Sequence, residues 1–316
     1  MNRRYFFLGC LALPAGCNRS HRAAQKRSLV SIRRAVAYSV DLERIIREIL
    51  IEHRVAVRGQ NVLLKPNLVE FSTSAPINTN AGFVAAAARA FESLGAGRVH
   101  IAEGPGHRRA TLDLAEAAGY FAEVQNFEGR FTDLNLDDVR RVSVPNPRSA
   151  LSHFYLPQTA LDCDLLVSLP KMKTHHWVGA TLAMKNLFGL VPGAVYGWPK
   201  NVLHWAGIHE CIVDLRRLLP RQFCLVDGIQ GMEGNGPILG TSVWPGVIVA
   251  GSDPPSVDAT CCRIMHLDPM RIKYLRLAFD QSGIDERWIK QLAETIPAVQ
   301  RKFALVDELK DLEIGI

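Results

Sequence analysis

The chain predicts an α/β protein: a mostly parallel sheet covered by helices, with a smaller irregular lobe. Three observations carry this. Short apolar, β-branched runs alternate with stretches of helical periodicity along most of the 316 residues. The strand-like runs, such as Asn61-Val-Leu-Leu-Lys65, lack the polar alternation of a half-exposed sheet, so they read as buried on both faces. Glycines and capping residues punctuate the helical stretches where a strand–helix–strand order needs them.

Taken in order, Arg34-Ala-Val-Ala-Tyr38 reads as a strand, and Asp41 caps a helix that puts Leu42, Ile45, Ile46, Ile49 and Leu50 on one face. Asn61–Lys65 is the next strand, Ala81–Leu94 an alanine-rich helix stopped by Gly95, and Arg98–Ala102 a third strand, followed by a helix from Thr111 to Ala118 ending at Gly119. Residues 121–160 are less regular, with short strands near Val139–Val144 and His153–Leu156, and predict an antiparallel excursion or a lid. Cys163–Leu169 resumes the sheet, Gly207–Leu218 is an amphipathic helix, and Phe223–Asp227 and Gly246–Ala250 are further strands. Pro254–Met265 and the segments after Met270 close the chain with helices. The expected organisation is an export signal over residues 1–17, a polar linker over 18–30 and a single α/β domain over 31–316.

The signal is read from Met1-Asn-Arg-Arg-Tyr-Phe-Phe-Leu, a charged start and a short apolar run that is too brief to span a bilayer. Arg3-Arg4 ahead of Tyr5–Leu8 resembles a twin-arginine signal, and Leu13-Pro-Ala-Gly-Cys17 resembles a lipoprotein box with Pro14 out of pattern. The expected location is therefore periplasmic or at the cell surface. Membrane contact is expected only through the signal or through a lipid anchor on Cys17. Cys163, Cys211, Cys224, Cys261 and Cys262 make no C-x-x-C pair and sit in apolar runs, which predicts small buried hydrophobes and argues against a local iron–sulfur motif or a disulfide framework. The net charge of +6 is spread along the chain without an aromatic-interleaved basic stripe, so nucleic acid is not an expected partner.

Chemistry concentrates after predicted strands, where open α/β sheets bind ligands. Lys65-Pro-Asn-Leu68 ends one strand. Glu103-Gly-Pro-Gly106 precedes a helix whose backbone N–H groups could receive an anion, so Lys65, Asn67, Gly104 and Gly106 are candidate cofactor-binding positions. Leu169-Pro-Lys-Met-Lys-Thr-His175 is the densest segment; if it stays extended, Lys171, Lys173 and His175 share one face. It leads into a predicted helix carrying Thr181 and Lys185 on one side, beside Asn186. Neighbouring lysines lower one another's pKa, which suits a base or nucleophile. Asp227-Gly-Ile-Gln-Gly-Met-Glu-Gly-Asn-Gly-Pro237 reads as a glycine-rich acidic loop, in which Asp227 and Glu233 divide acid and base roles or hold a divalent cation, with Asp258 as a third candidate ligand. Asp253 before Pro254 reads first as a helix N-cap, and the helix dipole alone could account for Asp258, although either could still face the site. His204 and His209, five apart, do not read as one metal motif.

In order along residues 60 to 275, these pieces resemble the domain-of-unknown-function 362 family: Lys65-Pro-Asn-Leu, Glu103-Gly-Pro-Gly, Leu169-Pro-Lys-Met-Lys-Thr-His, Lys185-Asn-Leu-Phe-Gly, Asp227 to Pro237, and Ser252-Asp-Pro-Pro-Ser-Val-Asp-Ala259. The resemblance implies a shared site drawn from Lys171, Lys173, His175, Lys185, Asn186, Asp227, Glu233, Asp253 and Asp258, and no mechanism. Some relatives carry a ferredoxin-like segment whose C-x-x-C-x-x-C run is not present here. The leading expectation is an exported enzyme acting on a small anionic substrate through the lysine/histidine cluster and the acidic loop, with metal assistance as one form of it. The alternatives are a surface lipoprotein that binds an anion or metal without converting it, and an electron-transfer accessory.

Overall fold

The computed structural model describes residues 27–107, 110–283 and 285–315. Its strands are β1 (Ser28–Arg34), β2 (Asn61–Pro66), β3 (Arg98–Glu103), β4 (Phe131–Asp133), β5 (Val139–Ser143), β6 (His153–Pro157), β7 (Leu165–Leu169), β8 (Lys171–His175), β9 (Gly179–Thr181), β10 (Gln222–Asn235), β11 (Leu239–Val243), β12 (Val247–Gly251) and β13 (Ile289–Ala293). An 11-stranded sheet runs in the order β13-β1-β12-β10-β7-β2-β3-β4, with β8, β9 and β11 built out from β10. Pairing is parallel from β10 through β7, β2 and β3 to β4, and antiparallel where β12 meets β10 and β1. The mostly parallel α/β class expected from the sequence is the class observed.

Alternation along the strands explains why they carry no polar face. Val62 and Leu64 of β2, Leu165 and Val167 of β7, and Ile248 and Ala250 of β12 join a core with the helices Leu42–Glu52 and Ala81–Ser93. Their neighbours Leu63, Leu166, Val247 and Val249 join the opposite core, with the helices Ile208–Arg217, Pro254–Ile264 and Lys273–Ser282. Burying both faces makes near-continuous apolar runs. The five cysteines named above are all buried among these apolar residues.

Three expectations are corrected. The first strand lies at Ser28–Arg34, not Arg34–Tyr38, and so begins inside the segment read as linker; residues 18–26 and the whole of the signal, with Cys10 and Cys17, lie outside the described residues. Its apolar signal is broken by Ser31, a buried serine that donates to Glu52 Oε2 at 2.5 Å and lies 2.9 Å from His53 Nε2. The closing segment is not all helical: Ile289–Ala293 adds a parallel edge strand beside β1, and its half-exposed polar residues hide it from an apolar criterion. The glycine-rich stretch after Asp227 is not a loop. It is the second half of the 14-residue β10, which folds back through β11 as a hairpin.

The irregular region forms the antiparallel pair β5–β6, separate from the main sheet, while β4 extends the sheet edge.

Candidate functional site

β7 and β8 run as one line along β10, interrupted only by Pro170, whose carbonyl accepts the Asp227 N–H at 2.9 Å. The extended course expected for residues 171–175 is therefore observed, and all three alternate residues Lys171, Lys173 and His175 are buried. They do not share one environment.

Lys171 is tied to Asp227. Its Nζ donates to Asp227 Oδ2 at 2.5 Å, to Tyr38 Oη at 2.8 Å and to the Gln230 carbonyl at 3.0 Å. Asp227 also accepts from Tyr38 Oη at 2.9 Å and from the Asn80 N–H at 3.0 Å, at the N-terminus of the Ala81–Ser93 helix. Burial lowers the Lys171 pKa and the Asp227 charge opposes that. Burial, then Asp227, raises that of Tyr38. A second pair forms between Lys65 and Glu103, whose Oε2 the Lys65 ammonium contacts closely; Lys65 Nζ also donates to the Pro66 carbonyl at 3.0 Å and to Asn186 Oδ1 at 3.2 Å. Burial presses both members toward their neutral forms and their attraction opposes it. Gly189, from the Lys185-Asn-Leu-Phe-Gly motif, passes so close to this pair that a Cβ there would fall on the Glu103 carboxylate.

Lys173, two residues beyond Lys171, has no carboxylate partner among the described residues. Its Nζ donates to the carbonyls of Ile77 at 2.8 Å and Pro237 at 3.3 Å. It lines a cavity of about 110 Å³ with Asn67, Glu103, Gly104, Gly106, His175, Thr181, Lys185, Asn186, Phe188, Lys200 and His204. Asn67, Glu103, Gly104, Gly106, Lys173 and His175 come from the carboxyl ends of β2 and β3 and from the extension of β7, the position at which open α/β sheets take ligands, and the rest come from β9 and the segments 183–190 and 200–205 that cover it. Burial, then Lys171 and Lys185, hold Lys173 well below its ordinary pKa. Lys185 is lowered to about 7 by burial and then Lys65. Lys200, which donates to the Gly104 carbonyl at 2.7 Å, is lowered to about 7 by burial against the opposing pull of Glu103. His175 is held well below its usual pKa by burial and then Lys185. Its Nδ1 accepts the Trp177 N–H at 3.1 Å, so the neutral ring carries its proton on Nε2. Two buried wall atoms, Asn67 Oδ1 and Thr181 Oγ1, have no hydrogen-bond partner among the described residues.

Of the residues read from the sequence, Asn67, Gly104, Gly106, Lys173, His175, Lys185 and Asn186 line this cavity, and Lys65 stands behind its wall. Lys171 and Asp227 do not line it; Lys171 faces a separate depression with Asn80 and Gln230. The proposed carboxylate set of Asp227, Glu233 and Asp258 is not brought together. Glu233 Oε2 accepts the Ala304 N–H at 2.9 Å, and Asp258 accepts the amides of Ala183 at 2.7 Å and Met184 at 3.0 Å, fixing the start of the Ala183–Asn186 helix. Burial pushes Asp258 up to about 7, with those amides opposing. Among the described residues no three His, Cys, Asp or Glu side chains form a metal-binding group. Thr181 ends β9 instead of sharing a helix with Lys185, yet both reach the cavity. Asp253 is the N-cap expected, accepting the Ser256 N–H at 3.1 Å, and also meets Arg216 at 3.1 Å. His204 and His209 fall on separate short helices.

Sequence reasoning missed Tyr38, Phe188 and Lys200. Lys200 has a left-handed backbone, φ 66°, an unfavourable placement for a side-chain-bearing residue, and is nonetheless 3 % exposed. A lysine after Trp198-Pro199 offers no periodic signal; only the tertiary placement reveals it.

Fold and site define a mixed α/β protein with a lysine-walled cavity at the carboxyl ends of its parallel strands. The chain belongs to the family described as a domain of unknown function, DUF362, which matches residues 62–263. It is similar to the thylakoid-associated protein sll1697 of Synechocystis sp., 30% identical over 220 residues, covering 68% of this chain and 65% of that relative's length. Among solved structures, it is similar to the lactate racemase apoprotein from Thermoanaerobacterium thermosaccharolyticum, with 12% identity, a TM-score of 0.47, and coverage of 75% of this chain and 57% of that one. A protein from Thermotoga maritima is 14% identical with a TM-score of 0.33, over 77% of this chain and 58% of that chain. No helix among the described residues is long and apolar enough to cross a membrane.

Proposed function

We propose that the protein is an exported enzyme that acts on a small anionic substrate held in the cavity of Lys173, Lys185 and Lys200. One observation carries the reading: three buried or half-buried lysines without carboxylate partners converge on one small space, whose only described carboxylate, Glu103, is already held by Lys65. Buried amines without counter-charge are expensive to protonate, and an arriving anion supplies that charge. Asn67 Oδ1 and Thr181 Oγ1 offer unspent hydrogen-bonding capacity for the substrate's polar groups. Acid and base work then falls to Lys185 and His175, because Asp227 and Glu233 are engaged outside the cavity. Titration calorimetry with inorganic phosphate and small carboxylates tests the reading: binding by the wild type that Lys173→Met weakens on the order of tenfold supports it, and no heat with any of these anions overturns it.

A non-catalytic anion-binding lipoprotein is the second reading. It is supported by the lipoprotein-like box at Cys17 and by a relative that is thylakoid-associated. A ligand bound and recovered unchanged after long incubation favours it. Radiolabelled palmitate incorporated into the wild type but not into Cys17→Ser tests the anchor, and loss of export on Arg3→Lys/Arg4→Lys tests the twin-arginine route.

A further inference from the structure

We propose that Lys185 is a Schiff-base lysine, condensing through Nζ with the carbonyl of a small 2-oxo acid whose carboxylate is received by the other lysines of the cavity. The inference rests on the anion-site reading above and adds the carbonyl. Three observations single out Lys185. Lys173 Nζ is held by two carbonyls and Lys200 Nζ by one, whereas among the described residues Lys185 meets no hydrogen-bond acceptor; its Nζ stands 4.0 Å over the Phe188 ring. The amine is therefore free to advance on a bound carbon. The ring beneath it offers a π face to the cationic iminium that follows. The environment also favours a neutral, nucleophilic amine at pH 7, since burial and Lys65 lower its pKa to about 7.

The step balances without an oxidant or metal. The Nζ lone pair attacks the carbonyl carbon, the C=O π pair moves to oxygen, and proton transfer gives a carbinolamine. The C–O bond then breaks and oxygen leaves as water, carrying one hydrogen that began on Nζ and one proton from the wall, which leaves a C=N bond whose nitrogen keeps its other hydrogen as the protonated imine. The hydroxyl takes up that second proton from the ammonium of Lys200, which lines the same cavity and, with a pKa lowered to about 7, is partly protonated at neutral pH. The protonated imine withdraws electrons from the adjacent carbon, so loss of a proton or of a carboxylate next to it becomes the accessible reaction.

The test is reductive trapping. Full-length protein is treated with sodium borohydride with and without pyruvate, followed by intact mass and peptide mapping, in parallel with calorimetry using pyruvate and propionate, which lacks the carbonyl. The expected result is one reduced pyruvate unit on Lys185, enriched on the order of tenfold over any other lysine, suppressed by excess propionate and lost in Lys185→Met. Adduct scattered over surface lysines, or retained in Lys185→Met, overturns the inference. Equal binding of pyruvate and propionate without adduct also overturns it while leaving the anion site standing. No binding and no adduct removes both. If Lys185→Met fails to fold, mapping of the wild-type adduct decides the question alone.

Discussion

Lys171 and Lys173 sit two residues apart on the same strand, are equally buried, and meet opposite fates. Lys171 enters a closed knot in which Asp227, Tyr38 and a backbone carbonyl account for its ammonium. Lys173 enters a cavity where its amine donates to two backbone carbonyls and faces other lysines, with no carboxylate in contact among the described residues. The difference lies in what β10 presents opposite each. Asp227 is in register with Lys171, whereas Met232 stands opposite Lys173 after the register shift. A buried lysine with its carboxylate in place is architecture; one without it is an unmet electrostatic demand that a ligand can meet.

Breaking the knot has the largest expected effect. Asp227→Ala leaves the Lys171 amine buried without its counter-charge and is expected to destabilise by about 3–5 kcal/mol, measured by urea unfolding; a change close to zero would mean that the pair does not hold the sheet. The same manipulation in the cavity is expected to have the opposite sign. Lys173→Met removes an unpaired amine, so unfolding free energy stays level or rises while anion affinity drops by about 1.4 kcal/mol per tenfold loss. Loss of stability comparable to Asp227→Ala would erase the distinction.

A third test uses pH. Lys185 and Lys200 have folded pKa values of about 7, below the ordinary lysine value of 10.5. Between those limits the unfolded chain binds more protons than the folded one, so stability rises with pH from about 7 to about 10.5, by about 1.4 kcal/mol per pH unit for each such lysine. Below about pH 7 both states are protonated at these sites and the slope vanishes. Lys200→Met is expected to flatten one lysine's share, read from urea titrations across that window. An anion that restores the charge takes up protons, so calorimetry in two buffers of different ionisation heat is expected to show uptake at pH 8. The smallest effect belongs to the helix cap: Asp253→Ala is expected to cost about 1 kcal/mol without altering anion affinity.

The sequence made one half of this site legible and concealed the other. Lys173, His175 and Asn67 were readable because each follows an apolar strand, where topology directs ligands, and Lys185 because it lies on the helix the same segment leads into. Lys171 was placed with them by alternation, which reports the face of a strand but not what stands across it. The acidic stretch misled for a related reason. Gly228 and Gly231 are not there for mobility: a Cβ on either would press within about 3 Å of Met172 atoms, 2.9 Å from its Cε at Gly228 and 2.8 Å from its carbonyl oxygen at Gly231. Glycine-rich sequence marks both a flexible loop and a strand lying close against its neighbour, and local pattern does not separate them. The task of Asp258 was likewise hidden, because the amides it accepts lie 75 and 74 residues away in the chain.

The Tyr38–Asp227 hydrogen bond joins residues 189 positions apart, and the Lys65–Glu103 pair meets an amide side chain 121 positions beyond Lys65. The candidate cavity is therefore indivisible. An N-terminal fragment ending before β7 would carry Lys65 and Glu103 but none of Lys173, Lys185 and Lys200, and a C-terminal fragment would carry the amines without the β2 and β3 ends that wall them in. Neither would act as half a receptor, so ligand occupancy would report completion of the entire central sheet, with the closure entropy of its longest loops already met.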